Sequence, residues 1–157
     1  MYKLNYESPI GMIEIQGTEK AISAILFSEK EHAEYKIEDG TPPVLKDCFN
    51  QLDEYFRGER TEFTFPLIIE GTAFQKTVWN SLNDIPFAET GSYKDIALLI
   101  GNEKAVRAVG NANGKNKICI VIPCHRIIGS NSKLTGYAGG LWRKEWLLEH
   151  EKKHRTK

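Results

Sequence analysis

Cysteine is scarce in this chain. There are three in 157 residues, an odd number with no C-x-x-C spacing. That excludes a disulfide framework or a zinc ribbon and reads as free thiols in a reducing compartment. No apolar run approaches the roughly 20 residues needed to cross a bilayer. The first residues, Met1-Tyr2-Lys3-Leu4-Asn5-Tyr6, lack the apolar core of a secretion signal, so the expected address is the cytoplasm, with no membrane partner. Internal repeats and low-complexity tracts are absent, and so is net charge, since 21 Lys and Arg balance 21 Asp and Glu. A chain of this length buries one substantial core or two small ones.

The zero net charge conceals an asymmetry. Residues 1–70 hold 7 Lys and Arg against 14 Asp and Glu, whereas residues 71–157 hold 14 against 7. A basic segment joined to an acidic one suits a phosphate-binding module with a separate supporting domain. Within residues 1–70, Tyr2–Glu7, Gly11–Gln16 and Ala21–Ser28 carry alternating or β-branched apolar residues between turn signals and read as an antiparallel meander. After Pro42-Pro43, Val44, Leu45, Cys48, Phe49, Leu52, Tyr55 and Phe56 recur at helical spacing up to Gly58. Phe63, Phe65, Leu67 and Ile69 alternate and predict a last extended segment before a boundary at Gly71.

From Thr72 the character changes. Phe74, Val78, Trp79 and Leu82 give one helix an apolar face. Ser92 caps a short helix containing Ile96, Ala97, Leu99 and Ile100, and a second follows Gly101-Asn102 with Ala105, Val106, Val109 and Ala112 on one side. The pair has a helix-turn-helix pattern, whose exposed face carries Lys104, Arg107 and Asn111, with Lys115 and Lys117 next. The apolar run from Ile118 to Ile122 reads as a buried strand ended by Pro123. Gly136 to Gly140 reads as a flexible loop, Trp142 to Glu151 as a closing helix, and Lys152 to Lys157 as a frayed basic tail.

Cys124 sits where that strand turns, in Ile122-Pro123-Cys124-His125-Arg126. A thiol with an ordinary pKa of about 8.5 becomes a nucleophile when neighbouring charge favours its thiolate, and His125, Arg126, Lys115 and Lys117 are the candidates. Adjacent Cys and His side chains diverge, so His125 acts as base only across a sharp turn or through a water. A carboxylate from the closing helix, Glu149 or Glu151, is the candidate to orient the imidazole. Zinc is the competing use of Cys119, Cys124 and His125, but their spacing fits no common ligand pattern, so no metal is expected.

These segments together resemble the O6-alkylguanine-DNA alkyltransferases. The likeness is weak before Gly71. It is close from Gly71-Thr72-Ala73-Phe74-Gln75 through Lys144-Glu145-Trp146-Leu147-Leu148-Glu149-His150-Glu151, with the Ile-Pro-Cys-His-Arg string as its most specific part. The resemblance implies that Cys124 is the alkyl acceptor, that His125 activates it through a water, and that Glu151 orients His125. It makes Asn116 the brace of the active-site turn, although Lys117 stands where relatives have proline. Arg107 is then the residue that enters the base stack, Tyr93 crowds the phosphate and contacts the flipped base, and Arg126 belongs to the DNA-contacting set. Tyr137 and Ala138 wall the base pocket, Ala138 lacking the hydroxyl of the serine found in some relatives.

The implied fold is an N-terminal ribonuclease H-like α/β domain, residues 1–70, followed by a helical, winged-helix-like DNA-binding domain, residues 71–157, that carries the acceptor. The implied reaction is single-turnover, cofactor-free transfer by a monomer, with double-stranded DNA containing O6-alkylguanine as partner. Three rival readings differ from this one. An alkyltransferase-like sensor lacks the acceptor cysteine, a thiol hydrolase turns over repeatedly, and a helix-turn-helix regulator shows strong sequence preference.

Overall fold

A computed structural model describes residues 1–129 and 136–155. The chain divides into two compact units, Met1–Ile69 and Glu70–Lys157. None of the described helices is long and apolar enough to cross a membrane.

The first unit is built on an antiparallel meander of β1 (Tyr2–Ser8), β2 (Gly11–Gly17) and β3 (Ile22–Ser28), with β2 in the centre. Leu4 faces Ile15 and Ile15 faces Ile25 across the ladders, so a buried aliphatic stripe runs through the sheet. The turn into β3 demands glycine. A Cβ at Gly17 would lie 2.5 Å from the Ala21 carbonyl oxygen. Helix α1 (Pro43–Phe56) starts with proline in its first turn, where a missing N–H is harmless. It buries Val44, Leu45, Cys48, Leu52, Tyr55 and Phe56 and packs on the sheet.

The alternating stretch from Phe63 to Ile69 is extended as expected, yet it forms only an isolated parallel bridge, Leu67 to Ile22. Ile22 N–H bonds the Pro66 carbonyl at 2.9 Å and Ile68 N–H bonds the Ile22 carbonyl at 2.7 Å. Pro66 has no N–H to offer a longer ladder.

The second unit is mainly helical. Helix α2 (Ala73–Leu82) opens on a reciprocal cap in which Thr72 Oγ1 accepts from Gln75 N–H and Gln75 Oε1 accepts from Thr72 N–H. Helix α3 (Tyr93–Leu99) opens on the same device, Ser92 with Asp95. Trp79 Nε1 donates to the Ala112 carbonyl at 2.8 Å and ties α2 to helix α4 (Val106–Gly114). The expected apolar face of the helix pair is narrower than the sequence suggests. Leu99, the last residue of α3, is 58 % exposed, and Val106, the first of α4, is 37 % exposed.

The strand expected over Ile118–Ile122 does not form. The segment is a knot of tight turns, with Val121 N–H on the Cys119 carbonyl at 2.8 Å and Ile122 N–H on the Ile118 carbonyl at 3.1 Å. Ile120 adopts a φ of 72°, which is sterically costly for a β-branched residue. Apolar runs satisfy burial in either form, so periodicity could not separate them. The chain leaves the knot through a 3-10 turn, Cys124–Arg126, into β5 (Ile127–Ile128), which pairs in parallel with β4 (Gly91–Ser92).

The loop at Gly136–Gly140 is a turn closed by Gly140 N–H on the Tyr137 carbonyl at 2.9 Å, and it leads into α5 (Leu141–His154). The helix therefore runs past the expected end at Glu151 into the basic tail, whose last two residues lie outside the described ones.

The Thr72 cap is exposed and touches nothing in the site. Thr72→Ala is expected to lower stability by about 1 kcal/mol, measured as the shift of a urea unfolding midpoint. A change no larger than experimental scatter would show that Gln75 alone holds the end.

Candidate active site

Asn116 organises the turn knot. It is 5 % exposed, and its Oδ1 accepts from Ile118 N–H at 2.9 Å, an Asx turn that substitutes for a backbone turn. Its Nδ2 lies 3.0 Å from the Ile122 carbonyl, 3.3 Å from the Ile118 carbonyl and 3.1 Å from Cys124 Sγ. The turn is held through the N–H of residue 118 rather than 117, so a lysine at 117 in place of proline leaves these bonds intact.

Cys124 is 3 % exposed. The hydrogen bond from Cys119 to its sulfur lowers its pKa most, and the Asn116 amide and Lys144 charge add to this against the upward push of burial. The charges expected to do this are placed otherwise. Lys115 and Lys117 are exposed, and Arg126 is turned away. Lys144, on the first turn of α5 and fully buried, is the cation that acts on the sulfur. Burial lowers the Lys144 pKa to about 8, and the Cys124 charge resists that fall. Asn113, also buried, adds a long contact of 3.4 Å from its amide to the Cys124 carbonyl.

His125 is wholly buried. Successive residues of a 3-10 turn point about 120° apart, so His125 and Cys124 face different ways. His125 Nε2 lies 2.7 Å from Glu151 Oε2. Of the two carboxylates left open by spacing, the structure thus brings Glu151 to the histidine, while Glu149 is exposed. Burial keeps His125 neutral by lowering its pKa, with Glu151 opposing. Burial would raise the Glu151 carboxyl, but His125 and Arg126 together hold it well below the ordinary carboxylate range. An ionised Glu151 fixes the proton on Nε2 and leaves Nδ1 as the basic nitrogen. Nδ1 is buried and has no hydrogen-bond partner among the described residues.

Arg126, expected on DNA, is 7 % exposed and is engaged elsewhere. Its Nε donates to Glu151 Oε1 at 2.8 Å, its Nη2 to Oε2 at 3.1 Å and its Nη1 to the Ile85 carbonyl at 2.8 Å. Ala88 N–H completes the shell at 3.1 Å from Glu151 Oε1, from a loop residue at φ 70°.

Lys104, Arg107 and Asn111 do share a face. With Tyr93, Val106 and Gly110 they line an open hollow of about 780 Å³ between the starts of α3 and α4. Tyr93 is the first residue of α3, Arg107 is exposed, Tyr137 is half-buried and Ala138 is exposed. The Tyr137 hydroxyl works against the Cys124 sulfur and burial, which raise the Cys119 pKa. Among the described residues no His, Cys, Asp and Glu group could hold a metal ion.

Lys144, Asn113, Ala88 and the Cys119 bond escape a reading by motif. One signal was available for Lys144. It shares the 3.6-residue stripe of α5 with Leu147 and Glu151, so a lysine stood on the face destined for burial.

Comparison with known proteins matches residues 1–69 to the family model "6-O-methylguanine DNA methyltransferase, ribonuclease-like domain" and residues 73–153 to "6-O-methylguanine DNA methyltransferase, DNA binding domain". The methylated-DNA–protein-cysteine methyltransferase of Methanosarcina acetivorans is 47 % identical over 96 % of this chain and 98 % of its own. The constitutive one of Bacillus subtilis is 43 % identical over 96 % and 95 %. The crystal structure of Mycobacterium tuberculosis OGT in complex with DNA superposes with a TM-score of 0.88 at 42 % identity, covering 98 % of this chain and 94 % of that one.

Lys144 is charged below about pH 8 and loses its charge above it, so its support of the thiolate is present at neutral and acid pH and fades in alkali. In Lys144→Met the acid limb of thiol alkylation by iodoacetamide, followed at Cys124 against pH, is expected to move up by about one pH unit, a tenfold loss on that limb. An equal loss at every pH would assign Lys144 to packing alone.

Proposed function

The chain belongs to the 6-O-methylguanine DNA methyltransferase family, and on that premise we propose that Cys124 is its alkyl acceptor, with His125 as base, Glu151 and Asn116 as positioning residues, and O6-alkylguanine in duplex DNA as substrate. The family activity is direct-reversal repair by transfer of an alkyl group to a protein cysteine, and it is the activity of this chain. The single observation that carries the residue assignment is the buried line from Glu151 through His125 beside the Asn116-bonded sulfur of Cys124.

The neutral His125, protonated at Nε2 by its bond to Glu151, has Nδ1 available as acceptor. A water between Nδ1 and Cys124 suits both the divergence of the two side chains and the orphaned nitrogen. The Cys124 proton passes through it to Nδ1, and Glu151 stabilises the imidazolium. Sulfur then bonds the alkyl carbon as the carbon–O6 bond breaks, and the guanine leaves with the electron pair. Tyr93, on the same wall as Arg107, is the donor to the departing base. The product is a thioether, and no described group offers a route to cleave it, so each molecule reacts once.

The alkyl carbon is unreachable in a stacked duplex, and extrusion costs a few kcal/mol. Arg107, exposed on α4 beside Tyr93, is placed to fill the gap, with Lys104 and Asn111 nearby for phosphate contact. Tyr137 and Ala138 form a wall of the base pocket. Arg126 serves the site from inside by holding Glu151 ionised, not by touching DNA. The protein acts as a monomer in the cytoplasm.

Incubated with an oligonucleotide holding one O6-methylguanine, the protein is expected to gain one methyl group on the tryptic peptide 118–126, in stoichiometric and not catalytic amount, as read by mass spectrometry. A lesion left intact beside an unmodified peptide would overturn the assignment. Arg107→Ala is expected to slow repair in duplex DNA by about tenfold or more, on the scale of the unstacking cost, while transfer from free O6-benzylguanine changes little. Equal losses on the two substrates would reject the stack-filling role.

A further inference from the structure

Cys119 neither accepts the alkyl group nor relays a proton in the transfer just described, yet it is placed against the reacting sulfur. A single Asn116 nitrogen reaches both the Ile118 carbonyl, which is peptide-bonded to Cys119, and Cys124 Sγ, at 3.3 and 3.1 Å. The turn that joins the two cysteines doubles back through Val121 N–H on the Cys119 carbonyl, Ile122 N–H on the Ile118 carbonyl and Cys124 N–H on the Ile122 carbonyl. The Cys119 thiol is hydrogen-bonded to Cys124. Each cysteine is 3 % exposed, and all three cysteines are free thiols. Cys48 belongs to the other unit, in α1.

We propose that Cys119 is a resolving thiol for Cys124, so that a peroxide converts the pair into an intramolecular Cys119–Cys124 disulfide that blocks alkyl transfer reversibly and shields the acceptor from terminal oxidation. Two thiols in contact, one of them reactive, are the arrangement that such chemistry needs. The Cys124 thiolate attacks one peroxide oxygen, the O–O bond breaks, and the displaced oxygen leaves as hydroxide, which takes up a proton to become water. Cys124 is then a sulfenic acid.

The Cys119 sulfur attacks the Cys124 sulfur, the S–O bond breaks, and the departing hydroxide takes the Cys119 proton as a second water. Each sulfur has lost one electron and the peroxide has gained two. The division of labour follows from the surroundings, since Cys124 is favoured as thiolate whereas the bond to Cys124 and burial keep Cys119 protonated. Joining them requires the two sulfurs to close to about 2.05 Å. A peroxide is far smaller than the alkylated base that must reach the same sulfur.

The inference rests on Cys124 being the reactive thiol, and the experiment separates the two claims. Untreated protein is first scored for methyl addition to peptide 118–126, which tests the acceptor alone. A second sample is exposed to hydrogen peroxide, quenched with iodoacetamide and digested without reductant. Both cysteines lie in that one peptide, so the disulfide appears as a peptide lighter by two hydrogens and carrying no carbamidomethyl group. Transfer activity is expected to be lost in step with this species and restored by dithiothreitol.

In Cys119→Ser, normalised to its own untreated activity, the same peroxide is expected to add two or three oxygens at Cys124, with loss that dithiothreitol does not reverse. Oxygen addition without the lighter peptide in the unsubstituted protein would overturn the proposal, whatever the variant's stability. So would full recovery of Cys119→Ser by reductant.

Discussion

The Glu151 carboxylate is the constraint on which the site depends. It is fully buried, and an isolated carboxylate in such a place would be protonated or expelled. It stays ionised because four donors converge on it: His125 Nε2, Arg126 Nε, Arg126 Nη2 and Ala88 N–H. Arg126 cannot lose its proton, so part of the support for the Glu151 charge does not depend on the state of His125. The histidine is therefore free to remain neutral, with its tautomer fixed. Had His125 been the only partner, burial would have favoured a proton shared between two weakly charged groups and a base of uncertain state.

The same requirement explains why α5 buries Arg143, Lys144, His150 and Glu151 along with Leu147. Such a face offers little hydrophobic stabilisation. It brings a cation to the sulfur from the helix's first turn and an anion to the imidazole from its third, on one rigid element. Helical rise sets the separation of these opposite charges at about 10 Å over seven residues. The thiolate side and the imidazole side of Cys124 and His125 can then be served by one helix without Lys144 and Glu151 neutralising each other. The two residues they serve are held at a fixed divergence by the 3-10 turn.

What was legible in the sequence follows from which physical signals are local. Helix starts at Thr72 and Ser92, the meander, and the burial of α1 depend on caps and periodicity and could be read directly. Cys124 and His125 are neighbours in one short string, whereas the strand expected over Ile118–Ile122 would have held Asn116 away from Cys124, and only the resemblance joined them. The choice between Glu149 and Glu151 needed the resemblance, because helical spacing alone places either near the site. Arg126 was misplaced for a related reason. A charge beside a reactive cysteine in a basic segment suggests phosphate, and only the fold shows that a buried carboxylate claims it. The Ile118–Ile122 run concealed its geometry because five consecutive apolar residues say that a segment is buried and nothing about its φ values. Ile120 at 72° contradicts every local preference of isoleucine, and the compensation lies in the Asn116 bonds and complete burial.

That strained knot, the Asn116 amide, the Cys119 thiol and Lys144 are all arranged to favour negative charge on one sulfur. A thioether carries none and accepts hydrogen bonds weakly. With Cys124 as acceptor, transfer removes the thiol whose ionised form compensates the buried Lys144 charge, and it weakens the partner of one Asn116 N–H in the turn that holds Ile120. It also adds carbon volume where the sulfur is 3 % exposed, and overpacking a filled interior is itself unfavourable. Each effect opposes the folded state of the product and none opposes that of the unreacted protein. An enzyme that must release its product and start again could not be built this way, since the reacted site would have to relax back. A protein that reacts once is under no such demand, and its site can be matched wholly to the state before transfer.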